Sequence, residues 1–365
     1  MRAATLLRSR YGRVALFLAV VVAVQLATQA ADKSFFLTQL TMAAYYTLVA
    51  AGLSLLMGYA GQISLGHAAY FAIGGYASGY LTTVDLSARK AEALVALLAR
   101  LHVLVPRADL YGGPAALSFH PWAAFAVAIV AAGAVAFVIG VPVLKLKGHY
   151  LAMATLGFGT IVYSVLLASE RLGAADGLGS VPPFPLVGGL SVGGGRAGRV
   201  ANYYVAWGVV ALALLLLSNL VHSRVGRALR AIHGAEDAAA SMGVDVARYK
   251  LRTFVVSAVL AAVGGAFLTH FNAGIGPTEA GGMKSVRYVA IVAVGGMGSL
   301  WGTVATSGVL TFLSLRGYFG TLDDAVFGGV LIAVMLFSPD GILRFDPRGA
   351  LAAIRGRLGS QGAAE

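Results

Sequence analysis

No cysteine occurs among the 365 residues, and only 12% of them are charged. The first absence excludes a disulfide framework, a thiolate metal site and a thiol nucleophile. The second departs from soluble domains, which carry about 25% charged residues. A phosphate-binding loop is missing too. The nearest candidate, GGMKS at 281–285, lacks the Gly-Lys-Ser/Thr ending on which such a loop depends. The seven histidines have no metal-ligand spacing, and no zinc-protease helix or catalytic pair of carboxylates is present. A nucleotide-driven process would therefore draw its energy from a partner.

What the chain has is apolar length. Residues are 58% hydrophobic, and charge-free runs cover 14–31, 34–84, 110–144, 148–169, 200–223, 253–278 and 288–315. A hydrocarbon core about 30 Å thick takes about 20 apolar residues per helix. The fold class is therefore all-α, a polytopic transmembrane bundle of about ten helices (8–10). Spans are expected near 13–31, 36–57, 64–82, 120–141, 148–170, 202–221, 250–271, 284–298, 301–317 and 322–338. The first is read as an uncleaved span, because further spans follow at once. The 48 glycines suit closely packed helices. Glycine also interrupts 58–76 and 284–304, where short or broken helices are expected.

Ten crossings place both termini on one side. Segments on that side hold 16 of the 27 basic residues and 6 of the 15 acidic ones, leaving +10 there against +2 opposite. Basic residues mark the cytoplasmic face, so the termini and the 222–252 segment are assigned to it. External loops fall at 83–118 and 171–201. The first contains an amphipathic stretch, 86–105, read as a surface helix. The second is too rich in Gly and Pro for regular helix, and reads equally as an ordered lip or a flexible linker. No acidic residue falls near the centre of a predicted span, which argues against proton or ion coupling.

One segment breaks the apolar pattern. Between Arg224 and Arg252 six basic and three acidic side chains fall together. Arg224, Arg227 and Arg230 recur every three residues, on one face of a helix. Glu236 and Asp237 then open a short helix, at the end where the dipole favours carboxylates. Gly243 has the position of a C′ glycine, and Asp245 that of the next helix's N-cap. Ala235, Ala238, Ala239 and Met242 form a small apolar face suited to a groove on another protein. A solvated loop that only anchors topology is the competing reading.

A second segment, GYAGQISLGHAAYF, places Gln62, Ser64 and His67 inside an uncharged run. Gly58, Gly61 and Gly66 each weaken helix there by about 1 kcal/mol relative to Ala. Broken helix in a membrane is tolerated where it is buried in protein or lines a cavity. Gly61, Gln62, Ser64 and His67 are accordingly candidates for a translocation path or gate. A surface turn with His67 satisfied locally remains the alternative. Lys145, Lys147 and His149 are read as a topology signal.

EDAAASMG at 236–243 is similar to the EAA-type coupling segment of ABC importer permeases. More broadly, GRALRAIHGAEDAAASMGVDVARYKLRTFVVSA resembles LivM-type permeases of high-affinity branched-chain amino-acid importers. Four further stretches match in order: GYAGQISLGHAAYFAIGGY, LKLKGHYLAMATLGFGTIV, DGLGSVPP and VAVGGMGSLWGTV. The resemblance covers 45–82 and 120–345, and 83–118 departs from it in length. It implies a single permease domain over 1–345 with a cytoplasmic tail at 346–365. The chain would sit in a bacterial inner membrane beside a second, related permease. Two cytoplasmic ATPase subunits, which hold ATP and Mg, and a periplasmic amino-acid-binding protein would complete the importer. The chain itself would bind no cofactor or metal. Arg227, Arg230, Glu236, Ala239, Met242 and Gly243 would couple to the ATPase. Urea or another small solute is an alternative cargo, and a stand-alone secondary transporter or channel the alternative of another class.

Overall fold

The computed structural model describes residues 10–89, 92–107 and 116–337. The proposed tail at 346–365, both chain termini and part of 83–118 lie outside the described residues. Thirteen α-helices occur among those described. Ten correspond to the expected spans: α1 (Arg10–Ala30), α2 (Phe36–Ala60), α3 (His67–Thr83), α5 (Pro121–Val143), α6 (His149–Ala168), α7 (Arg199–His222), α10 (Val246–Asn272), α11 (Gly282–Gly295), α12 (Leu300–Leu315) and α13 (Asp323–Phe337). The others are α4 (Ala93–Arg100) in the connection between α3 and α5, and α8 (Arg224–Gly234) and α9 (Glu236–Ser241) in the charged segment. Six helices are long and apolar enough to cross a membrane: α1, α2, α5, α6, α7 and α10. The remaining four run from 14 to 17 residues.

α2 is the axis of the bundle. It is apolar on every side and buried along most of its length, as a helix without a polar face must be. α3 and α10 pack against it and each other, with backbones brought close by glycine. A β-carbon on Gly74 would stand 2.3 Å from the Ala262 carbonyl oxygen, and one on Gly265 1.9 Å from that of Phe71. Gly75 and Gly79 face Thr269 across the same contact. α1, α5 and α6 form the outside, with large apolar side chains such as Val130, Val138, Met153 and Ile161 exposed for lipid or another subunit. α1 is pinned to α7 where the Tyr203 hydroxyl donates to the Val21 carbonyl at 3.0 Å.

Among the described residues, the segments within 83–118 and 171–201 carry regular structure. The expected surface helix over 86–105 is shorter than the sequence suggests, Ala93–Arg100. The chain then turns into an antiparallel ribbon of β1 (Leu104–Arg107) and β2 (Ala116–Phe119). The stretch after α6 is a lip rather than a linker. It forms β3 (Phe184–Pro185) and β4 (Ser191–Val192), and Phe184 is buried against Trp122, Phe125 and Phe267.

Candidate functional site

The charged segment folds as its caps predict. Ser223 breaks the chain after α7, and its Oγ accepts from the Val225 N–H at 3.1 Å to open α8. Arg224, Arg227 and Arg230 lie exposed on α8, and Arg230 folds back to donate to the Val221 carbonyl at 3.0 Å. α9 ends in two bonds characteristic of a left-handed stop: Gly243 N–H to Ala240 O at 2.9 Å and Val244 N–H to Ala239 O at 3.1 Å. Gly243 itself has φ +82°, with open space where a β-carbon would be. Asp245 then accepts from the Arg248 N–H at 3.0 Å, capping α10.

Two of these residues make contacts within the chain. Glu236 Oε2 accepts from Lys250 Nζ at 2.6 Å, with the lysine side chain 10% exposed. The lysine needs this carboxylate, since a buried ammonium without a partner is costly. Ala239 belongs to the inner side of α9, 5% exposed against its own chain. The outward face is Ala235, Ala238 and Met242, the last 85% exposed at the tip.

The polar break after α2 has an exposed and a buried side: Gly61 and Ile63 are exposed, whereas Gln62, Ser64 and His67 are buried. α2 stops where Gly61 takes φ +66°, and 61–66 runs back in extended form before α3 begins at His67. His67 is fully buried. Its Nδ1 hydrogen-bonds Ser64 Oγ at 3.0 Å and its Nε2 Ser257 Oγ at 2.7 Å. Ser257 is eleven residues into α10, about 16 Å from that helix's start. Ser257 also packs on Gly52, eight residues before the end of α2. The Leu65 N–H, otherwise an orphan donor, goes to Thr155 Oγ1 on α6 at 2.9 Å. Gln62 is 2% exposed, and neither polar atom of its amide has a partner among the described residues.

These two candidate groups touch. Gly61 lies against the ring of His233, the last side chain of α8 before Gly234, with 3.0 Å from a built β-carbon to His233 Nδ1. This contact joins α8 to the break, and His67 joins the break to Ser257 of α10. His233 was in plain view in the charged segment. Its role and that of Ser257 depend on contacts between residues far apart in the chain, which no local pattern signals.

A second break follows α10. The chain drops through 273–281, so that Glu279 accepts from the Tyr46 hydroxyl at 3.0 Å and pairs with Lys284 at the start of α11. Tyr46 is ten residues inside α2. Glu279 lies in the turn between α10 and α11 and Lys284 at the start of α11, so neither stands near the centre of an expected span. A polar recess of about 280 Å³, lined by Asp176, Asn272, Gly276 and Glu279 among others, opens over them. Arg287, one turn on, holds Asp323 and Asp324 of α13, both at 2.7 Å. No group of three or more metal-binding side chains occurs among the described residues.

Comparison with known proteins places this architecture. The family described as "Branched-chain amino acid transport system / permease component" matches residues 35–335. The permease protein LivM of the high-affinity branched-chain amino acid transport system of Salmonella typhimurium is 28% identical over 324 residues, 83% of this chain and 68% of that one. LivM of Escherichia coli is 28% identical over 327 residues, with the same shares. LivH of Salmonella typhimurium is 27% identical over 320 residues, 85% of this chain and 96% of that one. No solved structure matches the chain. With ten helices at the expected positions, six of them long and apolar enough to cross a membrane, and the family match running from α2 to α13, this multi-pass membrane protein belongs to the family of permease components of branched-chain amino acid transport systems.

Proposed function

We propose that the chain is one of two permease subunits in an ATP-driven importer of leucine, isoleucine, valine or related amino acids, set in a bacterial inner membrane. A periplasmic binding protein delivers the cargo to the outer face. Two ATPase subunits dock on the cytoplasmic face and hold the ATP and Mg. The observation that carries the reading is the continuous contact from α9 through α8 to the break at 61–66. In this reading Ala235, Ala238 and Met242 seat α9 in the ATPase. Arg227 and Arg230 flank that seat. Gly61, Gln62, Ser64 and His67 form the inner gate, moved by His233. Cargo selection falls largely to the binding protein.

The test is ATP-dependent uptake in vesicles that hold this chain, its related permease and the ATPases, with binding protein outside. Radiolabelled leucine should accumulate only when ATP is inside and loaded binding protein outside. Accumulation driven by an ion gradient with the ATPases left out would overturn the reading. Urea uptake in place of leucine would keep the machine and change the cargo.

A further inference from the structure

At the cytoplasmic ends of α5, α7 and α10 the helices part around a cleft of about 1250 Å³. Its floor includes Phe137, Val141, Leu251 and Val256, and its rim Lys145, Lys147, Arg248 and Arg252. Phe137 lies eight residues before Lys145, about 12 Å deeper if the helix is followed. The cleft therefore begins among lipid chains and opens at the level of the headgroups.

Five basic side chains line it against two carboxylates, Glu236 and Asp245. Both carboxylates are occupied. Glu236 holds Lys250, and Asp245 caps α10 and pairs with Arg248 at 3.2 Å. Lys147 reaches Asp237 only at 3.9 Å, between two exposed side chains. Lys145 and Arg252 are exposed and have no ion-pair partner among the described residues. An apolar floor under an unbalanced basic rim matches one kind of molecule, an amphiphile with an anionic head. We propose that this cleft binds an anionic phospholipid of the cytoplasmic leaflet. Its acyl chain lies along α5 and α10, and its phosphate is held by Lys145 and Arg252.

A soluble phosphate compound would leave the floor unfilled, and an apolar helix from another subunit would leave the rim unneutralised. The acyl chain gains little by moving from bilayer to cleft, since both are hydrocarbon. Preference for this lipid therefore rests on the rim. Each basic side chain near a membrane surface contributes about 1 kcal/mol toward an anionic lipid. Loss of two thus weakens binding roughly thirtyfold.

The proposal rests on the cytoplasmic placement of this end, but its readout is binding and does not depend on transport. The full chain is placed in nanodiscs of equal phosphatidylcholine and phosphatidylglycerol, extracted gently, and its retained lipids counted by native mass spectrometry. One phosphatidylglycerol per chain should be retained in preference to phosphatidylcholine. Lys145→Gln with Arg252→Gln should lower that retention roughly thirtyfold, with the thermal unfolding midpoint unchanged because both side chains are exposed. Arg224→Gln with Arg227→Gln, which removes equal charge from α8, should retain the lipid. Four results would overturn the site: equal loss in both double variants, equal retention of phosphatidylcholine, displacement by inorganic phosphate, or release of the lipid when the partner subunits assemble.

Discussion

The pair between Glu236 and Lys250 makes a demand that the resemblance by itself does not. At 2.6 Å the gross attraction is about 6 kcal/mol with an effective dielectric of about 20. Dehydration of the lysine, 10% exposed, and of the carboxylate, 33% exposed, offsets much of it. A charged hydrogen bond of this kind leaves about 1.5–3 kcal/mol net. α9 has six residues, too few to hold a helix by itself. Glu236→Gln should therefore lower the equilibrium constant for ordering α9 roughly thirtyfold, for a loss of about 2 kcal/mol. ATP-dependent uptake should fall in reconstituted importers, by up to that factor, while chain abundance in the membrane is unchanged. Lys250→Met should act in the same direction more weakly, because an apolar side chain refills the buried space. Exchanging the charges, Glu236→Lys with Lys250→Glu, should restore most of the uptake. A residual cost of about 0.3–1 kcal/mol remains, because a lysine at the start of α9 opposes the helix dipole. If the exchange proved as inactive as Glu236→Gln while Lys250→Met transported normally, Glu236 would act on another protein and the internal pair would be incidental.

Gly243 tests the same helix through the backbone. No atom crowds its missing β-carbon, so Gly243→Val should cost only the left-handed strain, about 1–2 kcal/mol, and impair uptake. Gly243→Asn, which tolerates that conformation, should transport nearly normally, and equal loss in both would refute the conformational argument. Gly58 tests packing instead: a β-carbon there would stand 2.3 Å from the Gly298 nitrogen, whereas one on Gly157 meets nothing within 4 Å. Gly58→Ala should lower membrane abundance and thermal stability, and Gly157→Ala should leave both intact. Similar abundance for the two variants would count against the close approach of α2 to the turn before α12.

Much of the fold was legible in the sequence because its signals are local or summed over whole spans. Twenty apolar residues specify a crossing whatever their neighbours, and the basic residues at span ends orient it. The stops and starts at Ser223, Gly243 and Asp245 act within one turn, so α9 and the beginning of α10 are readable from residues a few positions apart. Periodicity, by contrast, says little where every face is apolar: no periodic pattern distinguishes α2 as the buried axis from α5 on the outside of the bundle. Tertiary structure alone decided which polar group meets which. Glu236 finds Lys250 across 14 positions, His67 finds Ser257 across 190, and Tyr46 finds Glu279 across 233. In a low-dielectric interior such groups take whatever partner the packing of helices supplies, because an unpaired polar group is costly there. That packing is set by glycines such as Gly74 and Gly265, whose contact is visible only when both backbones are in place.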